Sequence, residues 1–93
     1  MEFLVRTVNN LPPDTPPERR EELRRAERAR AKELREAGIL KRLWRVPGTT
    51  GTVGLYEAAD ATELHEALAS LPMFPWMTIT VEPLATHPQE RDA

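Results

Sequence analysis

Four short segments of this chain have the composition of β-strands, and each is bounded by residues that interrupt regular structure. Their β-branched, aromatic and aliphatic residues either form short runs or alternate with polar residues, as is typical of strands. Proline, glycine and asparagine occur in the connections, where they favour turns. The predicted strands cover residues 2–9, 40–46, 52–57 and 76–82.

Two helical segments lie between these strands. The first is predicted to begin at Thr15, an N-cap residue followed by a proline at the first helical position, and to end at about residue 37, before Gly38. The second begins at a capping box formed by Asp60 and Glu63. Its apolar residues recur with helical spacing on one face, at Leu64, Leu68 and Leu71.

The order of these elements, βαββαβ, predicts an α+β fold of the ferredoxin-like type. In that fold a four-stranded antiparallel sheet carries both helices on one face. A chain of 93 residues has room for one domain. This domain is expected to span residues 1–85, and the polar residues 86–93 are expected to form a C-terminal tail.

The first strand offers apolar side chains to both faces of the sheet, since Phe3 and Val5 point to one face and Leu4 and Val8 to the other. The helices cover one face, and a chain this short has no further element to cover the second. We therefore expect a homo-oligomer in which sheets pack face to face.

Composition narrows the chemistry that the chain can support. It contains no cysteine and two histidines, so thiolate or histidine-rich metal sites and a cysteine nucleophile are not expected. Its charged residues sum to a net charge of −2, and the longest apolar run near the start is the three residues 3–5. We expect a cytoplasmic protein without metal or organic cofactor that binds neither membrane nor nucleic acid.

Glu27 is the residue of the first helix that most suggests catalysis. At 100° per residue it falls inside the apolar stripe of that helix, whereas the other acidic residues fall outside it. A carboxylate facing a core is costly unless it is paired, and its pKa tends to rise, which suits a general acid or base. The alternative explanations are a structural ion pair with Arg30 and a position at the rim of the packed face. The stripe comprises Leu23, Ala26, Arg30, Leu34 and Ala37.

The many arginines of the first helix alternate with glutamates at spacings that favour ion pairs along a solvated helix face, as for Glu21 and Arg25. This interleaving argues against a nucleic-acid interface, which needs a surplus of positive charge on one face. For His65, on the second helix, a structural role is favoured over a catalytic one.

Several motifs of the chain resemble those of the muconolactone Δ-isomerases. The opening FLV, the LP at residues 11–12 and the HP at residues 87–88 also fit that family, so the resemblance covers nearly the whole chain. The most specific motifs are LWRVPG at residues 43–48, ELH at 63–65 and LPMFPWM at 71–77.

This resemblance implies a ferredoxin-like fold, oligomers that are typically decamers, and activity without a cofactor. Members of the family move a C=C bond within a butenolide lactone during the bacterial catabolism of catechol. The family's proposed base is a glutamate of the first helix, which corresponds to Glu27. A basic residue of the family falls at Arg6, so Arg6 is expected to bind the acetate arm of the substrate.

The chain departs from the family after the LWR motif. Many members have an aromatic residue, Ala and Asn where this chain has Thr50, Gly51 and Thr52. Thr50 and Thr52 are expected to bind substrate in a wider pocket that takes muconolactone, a larger lactone or another enolisable compound. Two other hypotheses stay open on the same scaffold: a cyclase or dehydratase of a larger substrate, and a non-catalytic ligand-binding or assembly module.

Overall fold

A computed structural model describes residues 1–91 of the chain. Its elements follow the predicted βαββαβ order, with an additional single-turn helix near the C-terminus and a 3₁₀ turn at Phe74–Trp76 before the last strand. The elements are β1 (Glu2–Asn9), α1 (Pro17–Glu36), β2 (Leu40–Arg45), β3 (Thr52–Glu57), α2 (Ala61–Ala69), β4 (Met77–Leu84) and α3 (Pro88–Arg91).

The four strands form one sheet in the order β2-β3-β1-β4, and every neighbouring pair is antiparallel. The β2–β3 connection is a hairpin, whereas α1 and α2 each connect two strands that are not neighbours. This confirms the predicted α+β, ferredoxin-like fold. None of the helices within residues 1–91 is long and apolar enough to cross a membrane.

The core lies between the helices and one face of the sheet. Phe3 and Val5 of β1 are 2% and 0% exposed, and both belong to the same buried cluster as Leu34 of α1. From α2, the residues Leu64 and Leu68 join this cluster, as the helical spacing predicted. Because alternate strand residues point to opposite faces, the burial of Phe3 and Val5 identifies the face that the helices cover.

Helix α1 begins later than predicted. Its N-cap is Pro16, because the hydroxyl of Thr15 donates a hydrogen bond to the carbonyl of Pro12 (2.6 Å) within the preceding turn and does not cap the helix. The helix ends before Gly38, which has the left-handed φ of +78° that glycine tolerates. In α2 the predicted cap is confirmed, since Asp60 Oδ1 accepts the backbone N–H of Glu63 (2.8 Å).

One further expectation, about the packed face of α1, is corrected by the structure. Ala26 and Ala37 are exposed, and the face of α1 that packs on the sheet includes Ala31 instead. Within the predicted tail 86–93, the structure shows the exposed helix α3. The backbone N–H of Gln89, inside this helix, donates a hydrogen bond to Nδ1 of His87 (3.1 Å). The last two residues of that tail lie outside the described part of the chain.

The second face of the sheet is not covered by any element of residues 1–91. Val8 of β1 is 49% exposed there and Trp44 of β2 is 43% exposed. The register places Val53 of β3 beside Trp44, and the guanidinium of Arg42 lies 5.2 Å from the centre of the indole ring. This surface, which we call the open face, combines exposed apolar residues with charged ones.

Candidate functional site

A cavity of about 480 Å³ lies between residues 20–31 of α1 and the helix-covered face of the sheet. This is within the usual size range of small-molecule sites. The helix contributes charged side chains, and the strands and the α2–β4 connection contribute mainly apolar ones. The lining residues are Asn9, Leu11, Arg20, Arg24, Glu27, Arg28, Ala31, Leu40, Leu43, Arg45, Thr50, Thr52, Tyr56, Leu71, Met73 and Met77.

Glu27 lies in this cavity, half-buried on α1. Its Oε1 accepts a hydrogen bond from the backbone N–H of Met73 (2.9 Å), which ties the carboxylate to the α2–β4 connection. Among residues 1–91 it forms no ion pair. Arg30, the partner proposed in the structural alternative, bonds instead to Ser70 Oγ (2.9 Å) and lies 3.8 Å from Glu33 Oε1.

The environment of Glu27 favours its protonated form. Burial raises the pKa of this carboxyl above its ordinary value of 4.5, and the hydrogen bond from Met73 opposes that increase without cancelling it. The hydrogen bond occupies Oε1, so Oε2 is left without a partner among the described residues. A carboxylate with a raised pKa and a free oxygen in a cavity is equipped to take up and release a proton.

Thr50 and Thr52 both line the cavity. The Oγ1 atoms of Thr52 and Thr7 are 2.6 Å apart, and this hydrogen bond joins β3 to β1. The carbonyl of Thr50 accepts a hydrogen bond from the guanidinium of Arg45. The structure therefore brings both threonines to the cavity that contains Glu27.

Arg6 is not brought to this cavity. It alternates with Val5 on β1, so it lies on the open face, where its Nε is 3.8 Å from Glu82 Oε1. Its expected role in binding the acetate arm has no support within this chain. The reason is the period of two along the strand, which places Arg6 and the buried Val5 on opposite faces.

Four other arginines line the cavity: Arg20, Arg24 and Arg28 on α1, and Arg45 on β2. The alternation of the helix arginines with glutamates predicts a solvated face, yet three of them line the cavity. Their i, i+4 spacing is the signal that places all three on one side of α1, adjacent to Glu27. Arg28 also pairs with Glu21 at 3.6 Å.

Tyr56 of β3 is a further cavity residue that the sequence analysis did not select. It is 5% exposed. Burial raises the pKa of its hydroxyl above the ordinary value of 10.0, and the negative charge of Glu27 adds to that increase. Tyr56 is two residues after Gly54, so the period of two along the strand places both on the covered face. This periodicity is the signal that could have identified Tyr56.

The other candidates lie away from this cavity. His65 on α2 is exposed and contacts the ring of Phe74 edge-on, with ring centres 6.1 Å apart. It belongs to a smaller apolar hollow between α2 and β4. Within residues 1–91 no three His, Asp or Glu side chains are grouped so that they could hold a metal ion.

Comparison with known proteins places the chain among one group of enzymes. A family model described as muconolactone delta-isomerase matches residues 1–90. The chain is 39% identical to the muconolactone delta-isomerase of Cupriavidus pinatubonensis, over 95% of this chain and 96% of that protein. It is 36% identical to the corresponding protein of Rhodococcus opacus, over 91% of each.

Solved structures agree with these sequence relationships. A crystal structure of muconolactone isomerase superimposes with a TM-score of 0.89 at 33% identity, covering 95% of this chain and 92% of that one. A 5-chloro-2-hydroxyhydroquinone dehydrochlorinase from Burkholderia phenoliruptrix superimposes with a TM-score of 0.69 at 18% identity, covering 96% of this chain and 98% of that one. The second similarity extends to the fold alone.

The raised pKa of Glu27 predicts a specific pH dependence of stability. A carboxyl whose pKa is higher in the folded than in the unfolded chain binds more protons when folded, so its contribution stabilises at low pH and is lost as pH rises through the folded-state pKa. The free energy of unfolding of Glu27→Gln should lack this decline. Urea unfolding of both proteins from about pH 4 upward measures the difference. Glu36→Gln, exposed on the same helix, is the matched control, and identical pH profiles for all three proteins would contradict the prediction.

Proposed function

This chain belongs to the muconolactone delta-isomerase family and is an isomerase, and we propose that it moves a C=C bond within a butenolide lactone by proton transfer through Glu27. The reaction belongs to the aromatic catabolism in which this family acts. The observation that carries the proposal is the half-buried carboxylate of Glu27, unpaired within residues 1–91, in a cavity lined by arginines.

The proposed reaction requires one proton to move between two carbons of the lactone. The Glu27 carboxylate removes a proton from a carbon that is α or vinylogous to the carbonyl, and the C–H electron pair enters the conjugated system to give a dienolate. Glu27 is then a neutral carboxylic acid. It returns the proton to the far carbon, the carbonyl re-forms, and the double bond occupies its new position. Atoms and charge balance without a metal or redox cofactor.

The hydrogen bond to Met73 supports this role by orienting the carboxylate. It holds Oε1 at the wall of the cavity, so Oε2 is the oxygen available to the substrate. Burial raises the pKa of Glu27, which makes the carboxylate a stronger base than an exposed glutamate. A positioned group of this kind typically contributes about 10²–10⁴-fold to the rate.

The cavity arginines support binding of a substrate that carries its own carboxylate. Guanidinium groups bind carboxylates through paired hydrogen bonds, and Arg24 and Arg28 lie on the same side of α1 as Glu27. We propose that these arginines, together with Arg20 or Arg45, hold the acetate arm of the lactone. This assigns to them the role that the sequence analysis gave to Arg6.

We propose that Thr50 and Thr52 determine the size of the substrate that the cavity accepts. Their side chains are small, so the cavity has room for muconolactone or for a lactone with a larger substituent. Membership of the isomerase family favours neither the non-catalytic module nor the cyclase or dehydratase.

The open face is the proposed subunit interface. Its exposed apolar residues, including Val8 and Trp44, would be buried if two sheets packed face to face. We propose a cytoplasmic homo-oligomer larger than a dimer, as the family resemblance implies a decamer.

Replacing the proposed base tests the function directly. Glu27→Gln should lower turnover of muconolactone by about 10²–10⁴-fold because the amide cannot accept a proton at neutral pH. NMR of the reaction in D₂O measures both enol-lactone formation and deuterium uptake. Thermal unfolding should show a folded variant, since the neutral amide is cheaper to bury than a carboxylate. The control is Glu36→Gln, and a destabilised Glu27→Gln protein with full specific activity would mean that Glu27 is structural.

Restoring the family's residues tests the role of the threonines. The double variant Thr50→Tyr, Thr52→Asn should raise kcat/KM for muconolactone because a narrower cavity holds this small lactone more firmly. Steady-state kinetics measure the change, and Thr62→Asn, at an exposed position of α2, controls for an added amide group. If the double variant were well folded but showed no gain in kcat/KM, other residues of the cavity would determine substrate selection.

The proposed assembly predicts a mass well above that of a dimer in light scattering at micromolar concentration. Trp44→Glu should reduce this mass, because it replaces an exposed apolar side chain of the proposed interface with a charge. Lys32→Glu, on an exposed position of α1, should leave the mass unchanged. A wild-type protein that scatters as a 10.6 kDa monomer would contradict the proposal.

A further inference from the structure

We infer that Tyr56 is a second catalytic residue, whose hydroxyl donates a hydrogen bond to the lactone oxygen that becomes negatively charged when Glu27 removes the proton. The inference rests on the proposed function, because it assigns a role within that proton transfer. It concerns a residue on the sheet, opposite the helix that provides the base.

Tyr56 is held firmly at the floor of the cavity. On β3 it pairs with Phe3 of β1 on one side and with Leu40 of β2 on the other, and each of these neighbours is 2% exposed. Neighbouring side chains on one face of a sheet pack against each other, so the ring is confined from both sides. A donor that is already immobilised loses little entropy when it binds the transition state.

Gly54 determines the direction in which the ring points. A Cβ atom at Gly54 would lie 2.7 Å from Cε1 of Tyr56, which is closer than two carbon atoms can approach. The ring therefore occupies the space above Gly54 and leans along β3 towards Thr52, which also lines the cavity. The glycine is needed here to make room for the aromatic ring.

The hydroxyl of Tyr56 has no hydrogen-bond partner among residues 1–91. No fully enclosed side-chain oxygen or nitrogen in that part of the chain lacks a partner, so the hydroxyl oxygen must be open to the cavity. A tyrosine with a buried ring usually has its hydroxyl hydrogen-bonded. The unused donor of Tyr56 is therefore available to a ligand.

The electrostatics keep this hydroxyl protonated. Burial raises the pKa of Tyr56, and the charge of Glu27 raises it further, so the group is a donor at neutral pH. When Glu27 takes up the substrate proton, its negative charge disappears and the dienolate oxygen becomes the anion nearby. Tyr56 then donates a stronger hydrogen bond without transferring its own proton, and this bond stabilises the charge as it forms.

Removing the hydroxyl provides the first test. Tyr56→Phe should lower kcat for muconolactone by about 10²–10³-fold, the usual effect of losing one oxyanion donor, with KM nearly unchanged because the interaction forms mainly in the transition state. Thr62→Val removes an exposed hydroxyl on α2, away from the cavity and the open face, and should have no effect. Circular dichroism and thermal unfolding verify that Tyr56→Phe is folded.

A second test uses the fact that the chain contains one tyrosine. Growth with 3-fluorotyrosine therefore changes Tyr56 alone and lowers the pKa of its phenol. The alkaline limb of the kcat–pH profile should move to lower pH in the fluorinated protein and disappear in Tyr56→Phe, since a phenolate cannot donate. A purely structural tyrosine would leave this limb in place, and that result would overturn the inference.

Titration of Tyr56 by ultraviolet absorbance tests the geometry without turnover. Because the charge of Glu27 raises the pKa of Tyr56, Glu27→Gln should lower it. Equal values in the two proteins would overturn the inference, since the groups would then not share the cavity electrostatically.

The two levels of the proposal fail in different ways. Loss of activity in Glu27→Gln with wild-type kcat in Tyr56→Phe would overturn the role of Tyr56 and leave the proposed function intact. Full activity in Glu27→Gln would overturn the proposed function and with it this role for Tyr56.

Discussion

The packing of α1 on one face of the sheet is the interaction on which the rest of the structure depends. Leu34, in the C-terminal half of the helix, is 2% exposed and joins the core formed by Phe3, Val5 and Leu40. Residues 20–31 of the same helix border the cavity of about 480 Å³. One helix therefore supplies both a contact of the core and the wall of the site that carries Glu27.

The position of Glu27 combines two opposing effects. The hydrogen bond from Met73 stabilises the carboxylate, whereas burial disfavours it, and burial is the larger effect on the pKa. The nearby arginines supply positive charge for a substrate carboxylate while leaving Glu27 without a direct ion pair in residues 1–91. A direct pair would have lowered its pKa and weakened it as a base. The site thus keeps substrate binding and proton transfer on separate groups.

The two faces of the sheet have different roles because of the period of two along each strand. On the covered face, Tyr56 and Thr52 reach the cavity, and Gly54 between them makes room for the tyrosine ring. On the open face, Val8 and Trp44 are left exposed and Arg6 lies beside Glu82. The same alternation that builds the site therefore leaves an apolar surface for the proposed assembly.

Local patterns in the sequence determined the order of the elements, the cap of α2 at Asp60, the stop at Gly38 and the inward position of Glu27, because each depends on residues within a few turns of one another. Tertiary structure decided the rest. Alternation along the strand places Arg6 and Val5 on opposite faces of the sheet. Which of these two faces contains the site was decided only by the docking of the helices. Likewise, the neighbours of Glu27, from the backbone of Met73 to the ring of Tyr56, come from segments 29 to 46 residues away that meet only when the chain folds. Spacing along one helix predicts which way a side chain points, whereas the partners it meets depend on how the helix packs against the sheet.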